Sequence, residues 1–472
     1  MVWDTIIIQL RSPNTKQAKA ISAGNLTLNE YWRRILKPWV NYFPCILSYS
    51  LSFYIMVTGK MMGCHNVKQV LLINVYGEDK PGVTNAVAQV LSRFEVTVLD
   101  IGQAVIHDQL NMGILVAVPE EGSVSEIKSE VLAVLQTLDM QGRFLVVSDE
   151  SYHDWVDQQG KARHIVTLLA RSIDASHLNA VTKVTADQGL NIDKIVRLSG
   201  RVPLEGTEQM GQACVEFSVR GNPKSAEALR SSLLELAGQH NIDVAYQEDT
   251  IFRRSRQLVV FDMDSTLIDA EVIDELAIEA GVGEKVTAIT EAAMRGEIDF
   301  TQSFIQRLAL LEGLNAEVLQ TVADRLRLNE GAEYLIHSLK QLGYTTAIVS
   351  GGFTFFGQRL QTILGVDYVY ANELEIVNGI VTGKVTGDII DGQRKADLLR
   401  ELAHQQGLSL DQVIAVGDGA NDLPMISIAG LGIAFRAKPV VKASAKQAIS
   451  NVGLDGILYL LGYSDKDINK LH

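Results

Sequence analysis

Cysteine is scarce in this chain. Cys45, Cys64 and Cys214 are the only three in 472 residues. They are too few and too far apart for a disulfide framework or a zinc site. Their scarcity suits a reducing compartment, so a cytoplasmic location is expected. Positive charge is also short. Against 56 Asp and Glu there are 42 Lys and Arg, a net of −14. That argues against a nucleic-acid binder that relies on phosphate contacts. A small anionic ligand is not excluded, because a local cation matters more than net charge. A long unbroken apolar run is missing as well. Trp39 to Val57 comes nearest, behind the basic Arg33, Arg34 and Lys37. It has the form of a weak signal anchor. Asn41, Pro44, Ser48, Ser50 and Ser52 interrupt it, and no second span follows.

Residues 1–60 stand apart in composition. Seven Lys and Arg against two acids give them +5, which leaves −19 for the rest. Met61-Met62 directly precedes the first clean domain pattern. Residues 1–62 therefore read as an appended segment outside the fold, with a weak anchor as the alternative.

The length predicts two to four domains. Between residues 67 and 150, strand and helix patterns follow in the order βαββαβ, a ferredoxin-like unit. A looser copy runs from 162 to 250, starting about ninety-five residues later, which makes a tandem repeat rather than a solenoid. The first copy has the loop Asp79-Lys80-Pro81-Gly82 between its first strand and helix, then Val83-Thr84-Asn85. Gly82 permits close backbone approach there. The two copies resemble ACT domains, the amino-acid-sensing modules of metabolic enzymes. The resemblance implies a small amino acid bound at this loop and helix start, with Asp79, Pro81, Gly82 and Asn85 as the effector loop. A helix N-terminus suits a carboxylate. The second copy has Arg171-Ser172-Ile173-Asp174-Ala175-Ser176 instead, without Pro-Gly, so ligand binding is expected of the first copy.

From residue 256 onward the pattern changes. Leu258 to Phe261 is an apolar strand of the kind buried on both faces. It ends in Asp262-Met263-Asp264. Residues two apart share a side of an extended chain, so the two carboxylates can face one small volume. A divalent cation, a shared proton, or both must hold them there. Three more polar clusters follow candidate elements: Ser350-Gly351-Gly352 after Thr346 to Val349, Lys395 after a hairpin, and Gly417 to Asp422 after Val413 to Val416. The hairpin is read at Asn372 to Lys384, with Asn378-Gly379 as its turn. Alternating strands and helices predict a doubly wound parallel sheet, with chemistry at the carboxyl ends of its strands. Four candidate helices from about 271 to 330 interrupt it as a cap, well placed to cover the aspartates.

These four clusters, in this order, resemble the haloacid dehalogenase superfamily. With the residues after Asp264 added, the resemblance narrows to its phosphoserine phosphatases. It implies an α/β domain at 256–472 that hydrolyses L-phosphoserine to serine with Mg2+. Asp262 would be the nucleophile and form an aspartyl-phosphate. Asp264 would be the acid and base. Asp262, the Asp264 carbonyl and Asp418 would hold the metal, with Asp422 behind them. Ser350, Gly351, Lys395 and Asn421 would meet the phosphate side. Glu271 and Arg307 would meet the ammonium and carboxylate of the substrate, with Met294 and Phe300 as apolar cap residues. A homodimer and serine as effector are expected. Two alternatives stay open: a phosphotransferase to another alcohol, and an amino-acid-binding regulator with an inactive phosphatase domain.

Overall fold

The computed structural model describes residues 67–119, 122–201, 211–295 and 297–471. The appended segment 1–62, and with it the anchor reading, lies outside them. Among the described residues no helix is long and apolar enough to cross a membrane. The chain divides into two compact units, one ending at Gln159 and one beginning at Gly160.

The first unit holds strands β1 (Val67–Glu78), β2 (Thr97–Ile106), β3 (Gln109–Pro119) and β4 (Gln141–Val147) in the sheet order β2-β3-β1-β4, all antiparallel. Helices Val83–Ser92 and Val124–Thr137 cover one face. Their buried residues are Val83, Val87, Val90 and Leu91 in one, and Ile127, Val131 and Leu135 in the other. This three-to-four spacing packs one stripe of each helix on Leu71, Ile73 and Val75 of β1. A further helix, Asp149–Gln159, was not anticipated. None of its residues is buried, so its sequence lacks the apolar period that marks a packed helix.

The second unit begins with the other repeat: β5 (Arg163–Ala170), β6 (Asn191–Arg197), β7 (Ala213–Arg220) and β8 (Asp243–Glu248), ordered β6-β7-β5-β8. The large sheet follows, with β9 (Leu258–Phe261), β10 (Thr345–Phe353), β11 (Tyr368–Val377), β12 (Ile380–Thr386), β13 (Val413–Gly417), β14 (Leu431–Phe435) and β15 (Gln447–Ile449). Their order is β12-β11-β10-β9-β13-β14-β15, parallel except for the hairpin strand β12. Positive φ at Asn378 and Gly379 closes that hairpin. Strand β9 sits near the centre, paired with β10 and β13. Its side chains alternate as expected: Val259 and Phe261 join the core on one face, Leu258 and Val260 the core on the other. All four are fully buried, at about 1.5–3 kcal/mol of apolar transfer each. Helices Val272–Glu279, Gly283–Met294, Phe300–Ala309 and Glu317–Arg325 form the cap insertion.

The second repeat is built onto the large sheet. Leu169 of β5 and Cys214 of β7 belong to the same apolar core as Phe261, Ile433 and Leu460. The Asp243 carboxylate accepts the backbone amides of Ser450 (2.8 Å), Asn451 (2.8 Å) and Val452 (3.2 Å). Gln447, on the edge strand β15, accepts the Tyr246 amide at 2.9 Å and donates to the Tyr246 carbonyl on the edge strand β8.

Candidate active site

The parallel strands bring the polar clusters to one end of the large sheet. Strand β9 delivers Asp262, whose amide donates to Val416 O of β13 at 2.8 Å. Strand β10 delivers Ser350, and the extended conformation runs on to Phe353 instead of stopping before the serine. Lys395 stands in the first turn of helix Gly392–Gln405, which Asp391 caps by accepting the Arg394 amide at 2.8 Å. Strand β13 ends at Gly417 and delivers Asp418 and Asp422.

At the centre is a fully buried ammonium. Lys395 Nζ lies 2.8 Å from Asp262 Oδ1 and 2.6 Å from Asp422 Oδ1. Burial opposes its charge, but the two carboxylates more than offset this and lift its pKa above the ordinary lysine value. Asp262 Oδ1 also accepts the Met263 amide at 2.8 Å. Asp422 Oδ2 accepts the amides of Asp418 (3.1 Å) and Gly419 (2.9 Å). Carboxylate oxygens of Asp262, Asp418 and Asp422 lie within 4.8 Å of one another.

One lysine does not neutralise this cluster. Burial, then the charges of Asp262, Asp422 and Glu271, push Asp418 up to about 8. Burial and Asp262 raise Asp422 to about 6, against the pull of Lys395. Asp264 rises well above the carboxylate range, through burial first and then Glu271 and Asp262. Its buried Oδ1 has no hydrogen-bond partner. A crowded set of hard oxygen donors, short of positive charge and with one orphaned oxygen, fits a divalent cation.

The serine arm lies in an irregular stretch of β10, where the register against β11 shifts between Val349 and Phe353. Ser350 Oγ accepts the Gly352 amide at 2.9 Å. A Cβ on Gly352 would fall 2.8 Å from Asp264 Oδ2 and 2.6 Å from Met263 Cε, so only glycine lets the two arms approach this closely. The cap reaches the same point: Phe300 Cζ lies 3.2 Å from where a Gly351 Cβ would be. Phe300 also stacks on Phe304, which meets Phe353 of β10.

The other expected residues divide. Glu271 stands at the N-cap of helix Val272–Glu279 but makes no capping bond. It accepts from Ser265 Oγ at 2.8 Å instead. Its side chain reaches solvent, yet desolvation by the surrounding protein is the main influence raising its pKa; the Ser265 bond and Arg307 act the other way. Arg307 is buried and makes only long hydrogen bonds, 3.4 Å to Ser303 O and 3.5 Å to Thr290 Oγ1. It forms no ion pair with a carboxylate among the described residues. Burial lowers its pKa, while Asp274, Glu271 and Asp264 pull it upward. Met294 ends helix Gly283–Met294, and its side chain is outside the described part. Asn421 lies half-buried in the turn Ala420–Asp422, its carbonyl close to Gly392 at the start of the Lys395 helix.

Three contributors escaped the sequence reading. Thr266 donates to Asp418 Oδ1 at 3.1 Å. Its place directly after Asp-x-Asp-Ser was the available signal. Asn372, fully enclosed, donates to Gly351 O at 2.8 Å and accepts the Ile390 amide at 2.9 Å. It therefore ties the serine arm to the segment before Lys395. Asn329 donates to the carbonyls of Ser265, Thr266 and Ile268. Neither asparagine stands in a recognisable motif.

The loop expected to bind an effector belongs to the first unit. Asp79, Lys80, Pro81, Gly82, Val83, Thr84 and Asn85, with Gln103 and Leu110, line a cavity of about 360 Å³. Gly82 has φ +96°, and helix Val83–Ser92 starts there with no side-chain cap and no acid in its first turn. A Cβ at Gly82 would meet nothing within 4 Å. The glycine is thus required by its backbone conformation, and crowding has no part in it.

Comparison with known proteins adds relatives. Residues 259–427 match the haloacid dehalogenase-like hydrolase family. Residues 69–145 and 162–247 match ACT domains. A phosphoserine phosphatase of Streptomyces coelicolor is 40% identical over 398 residues, 84% of this chain and 93% of the relative. One of Mycobacterium tuberculosis is 40% identical over 402 residues, 85% and 95%. The crystal structure of a probable phosphoserine phosphatase from Vibrio cholerae superposes with a TM-score of 0.51 at 32% identity, over 67% of this chain and 90% of that one.

Asn372→Ala leaves the Gly351 carbonyl and the Ile390 amide unpaired, at about 1–3 kcal/mol for each buried group. The serine arm would also lose its register against Lys395, and we expect kcat to fall about tenfold or more. Thermal unfolding and steady-state kinetics on the same preparation test this. A lowered Tm with unchanged kcat would reduce Asn372 to a packing role.

Proposed function

The chain belongs to the phosphoserine phosphatases, haloacid dehalogenase-like hydrolases that carry two ACT domains in this case, and on that footing we propose residue roles in the hydrolysis of L-phosphoserine. The observation that carries them is the pair Asp262 and Asp264: one carboxylate is clamped by a buried lysine, and the other is buried with its Oδ1 unpartnered.

Asp262 is the nucleophile. Lys395 and the Met263 amide both hold Oδ1, which leaves Oδ2 to attack phosphorus and displace the serine alkoxide. Asp264, whose pKa burial and the neighbouring Glu271 and Asp262 raise, is the acid that gives a proton to that alkoxide. It then takes a proton from the water that attacks the aspartyl-phosphate, so serine and inorganic phosphate leave in turn. Ser350 Oγ, the Gly351 amide and the Lys395 ammonium stabilise the equatorial oxygens. Asn421 is kept on the phosphate side.

Asp262, the Asp264 carbonyl and Asp418 would hold the metal, with Mg2+ proposed from the hard oxygen set. When bound, it would supply the charge the cluster lacks and polarise a phosphate oxygen. Asp422 is better read as support, since Lys395 and two backbone amides already use both of its oxygens.

Arg307 is the partner for the substrate carboxylate. A buried guanidinium with only long hydrogen bonds suits an anion supplied by the ligand. Glu271 takes the ammonium, and Phe300 and Met294 close the apolar side. The relatives give no support to a transferase or an inactive regulator.

For the first unit we propose an amino-acid effector, serine, its carboxylate at the uncapped start of helix Val83–Ser92. A homodimer is proposed through β2, an edge strand exposed along nearly its whole length, Val98, Ile101 and Ile106 included. A cytoplasmic location completes the proposal.

Asp262→Asn keeps the shape but removes the attacking charge, and is expected to abolish turnover. Rapid quench with labelled phosphoserine should find no phosphoenzyme, and label retained on the variant would refute the assignment. Arg307→Ala should lose about 1.5–3 kcal/mol on phosphoserine, roughly ten- to a hundredfold in kcat/KM. An ester without the carboxylate should lose little, and equal losses on both would make Arg307 structural. Gly82→Val strains the effector loop far along the chain from Asp262. Calorimetry should then show serine binding lost while basal hydrolysis persists. Serine acting alike on wild type and variant would end the effector reading.

A further inference from the structure

The two repeats use the same loop differently. In the first, the loop lines an open cavity. In the second, Asp174 caps helix Ala175–Asp187 from within, accepting the amides of Ser176 (2.8 Å) and His177 (3.1 Å). An acid at that helix start repels a carboxylate ligand. The residue opening this loop, Arg171, turns to the catalytic domain. Its Nε donates to Asn451 O at 3.0 Å and its Nη1 to Gly211 O at 3.0 Å. Both terminal nitrogens grip Glu330, Nη1 on Oε1 and Nη2 on Oε2, the latter at 2.6 Å.

Glu330 passes the contact on. Its Oε2 also accepts Arg436 Nη2 at 2.9 Å. Arg436 Nη1 donates to Asn329 Oδ1 at 3.2 Å, and its guanidinium lies over the Phe435 ring, 5.2 Å from the centroid. The nearly inaccessible Asn329 turns its Nδ2 to the carbonyls of Ser265 (3.2 Å), Thr266 (2.9 Å) and Ile268 (3.1 Å). Its backbone amide bonds Leu267 O at 2.8 Å. Only one orientation of this side-chain amide works. Reversed, it would set NH2 against a guanidinium and an oxygen against three carbonyls. Arg436 therefore fixes Asn329, and Asn329 fixes the turn.

That turn needs holding. Ser265 has φ +55°, unusual for a residue with a side chain. It carries Ser265 Oγ to Glu271 and Thr266 Oγ1 to Asp418. A small change in its shape moves a substrate ligand and a metal ligand together.

We infer that Arg171 and Glu330 are positioning residues of the phosphatase site: the second repeat has exchanged effector binding for a clamp that sets the Ser265–Ile268 turn through Arg436 and Asn329. This rests on the reading of that turn as part of the phosphoserine site. Isolated exposed ion pairs contribute little, and Arg171 and Glu330 are 46% and 42% exposed in their side chains. The clamp is bidentate and networked, so a modest but linked effect is expected.

The experiment uses the full chain with Arg171→Ala, Arg171→Lys, Glu330→Gln and the Arg171→Ala/Glu330→Gln double variant. Three quantities are measured: Mn2+ affinity by electron paramagnetic resonance without substrate, kcat on phosphoserine, and Tm. Arg171→Ala and Glu330→Gln should each weaken Mn2+ binding and lower kcat, roughly three- to tenfold. The double variant should be no worse than the poorer single one, and Arg171→Lys should recover part of both. Unchanged Mn2+ affinity and kcat with only a lower Tm would overturn the clamp, as would additive losses. If Arg171→Ala fails to fold, Arg171→Lys and Glu330→Gln decide by the same two readouts. Wild-type protein that binds Mn2+ without hydrolysing phosphoserine would count against the functional reading, while the Mn2+ series would still judge the clamp.

Discussion

The catalytic end of this protein depends on one buried cation. Asp262, Asp264, Asp418 and Asp422 stand at adjacent strand ends, and four carboxylates packed so closely would drive one another apart or take up protons. Lys395 is fully buried between Asp262 and Asp422. It holds an oxygen of each in place while leaving the set short of positive charge. The shortage is useful. It suits a divalent ion and, added to burial, it raises the Asp264 pKa well above the ordinary carboxylate value.

Much of this was legible in the sequence, for a physical reason. Strand β9 is buried on both faces, so its four apolar residues make an unambiguous signal, and the two aspartates that end it stand out. The same holds for β13 and the Gly417 to Asp422 turn. The helix Asp149–Gln159 buries nothing and so carried no period. Strands β14 and β15 went unread, and β10 was read to end with its apolar run at Val349, whereas it extends through Ser350-Gly351-Gly352 to Phe353. The asparagines at 329 and 372 were invisible for a different reason. Each works through backbone carbonyls and amides distant in the chain, and any sequence can supply those partners. The fold and the polar clusters at its strand ends could be read in order along the chain; the asparagines that tie those clusters together could not.

The two ACT repeats share one topology but differ at one loop. Both sheets have the same strand order and both cores follow the same alternation. The difference lies in a few residues at one loop. A glycine at φ +96° and an uncapped helix leave room for a ligand in the first. An aspartate cap and an outward arginine close the second and attach it elsewhere. The second copy also shares apolar core with the catalytic sheet through Leu169 and Cys214.

Gln447 is a small feature with a wide effect. Strands β8 and β15 are both sheet edges, and each would present unpaired backbone groups. The Gln447 side chain fills both backbone positions of Tyr246, so one edge blocks the other without a continuous sheet being formed. The seam is therefore self-protecting only while both halves are present. Pulling the second repeat away from the large sheet would expose two strand edges at once.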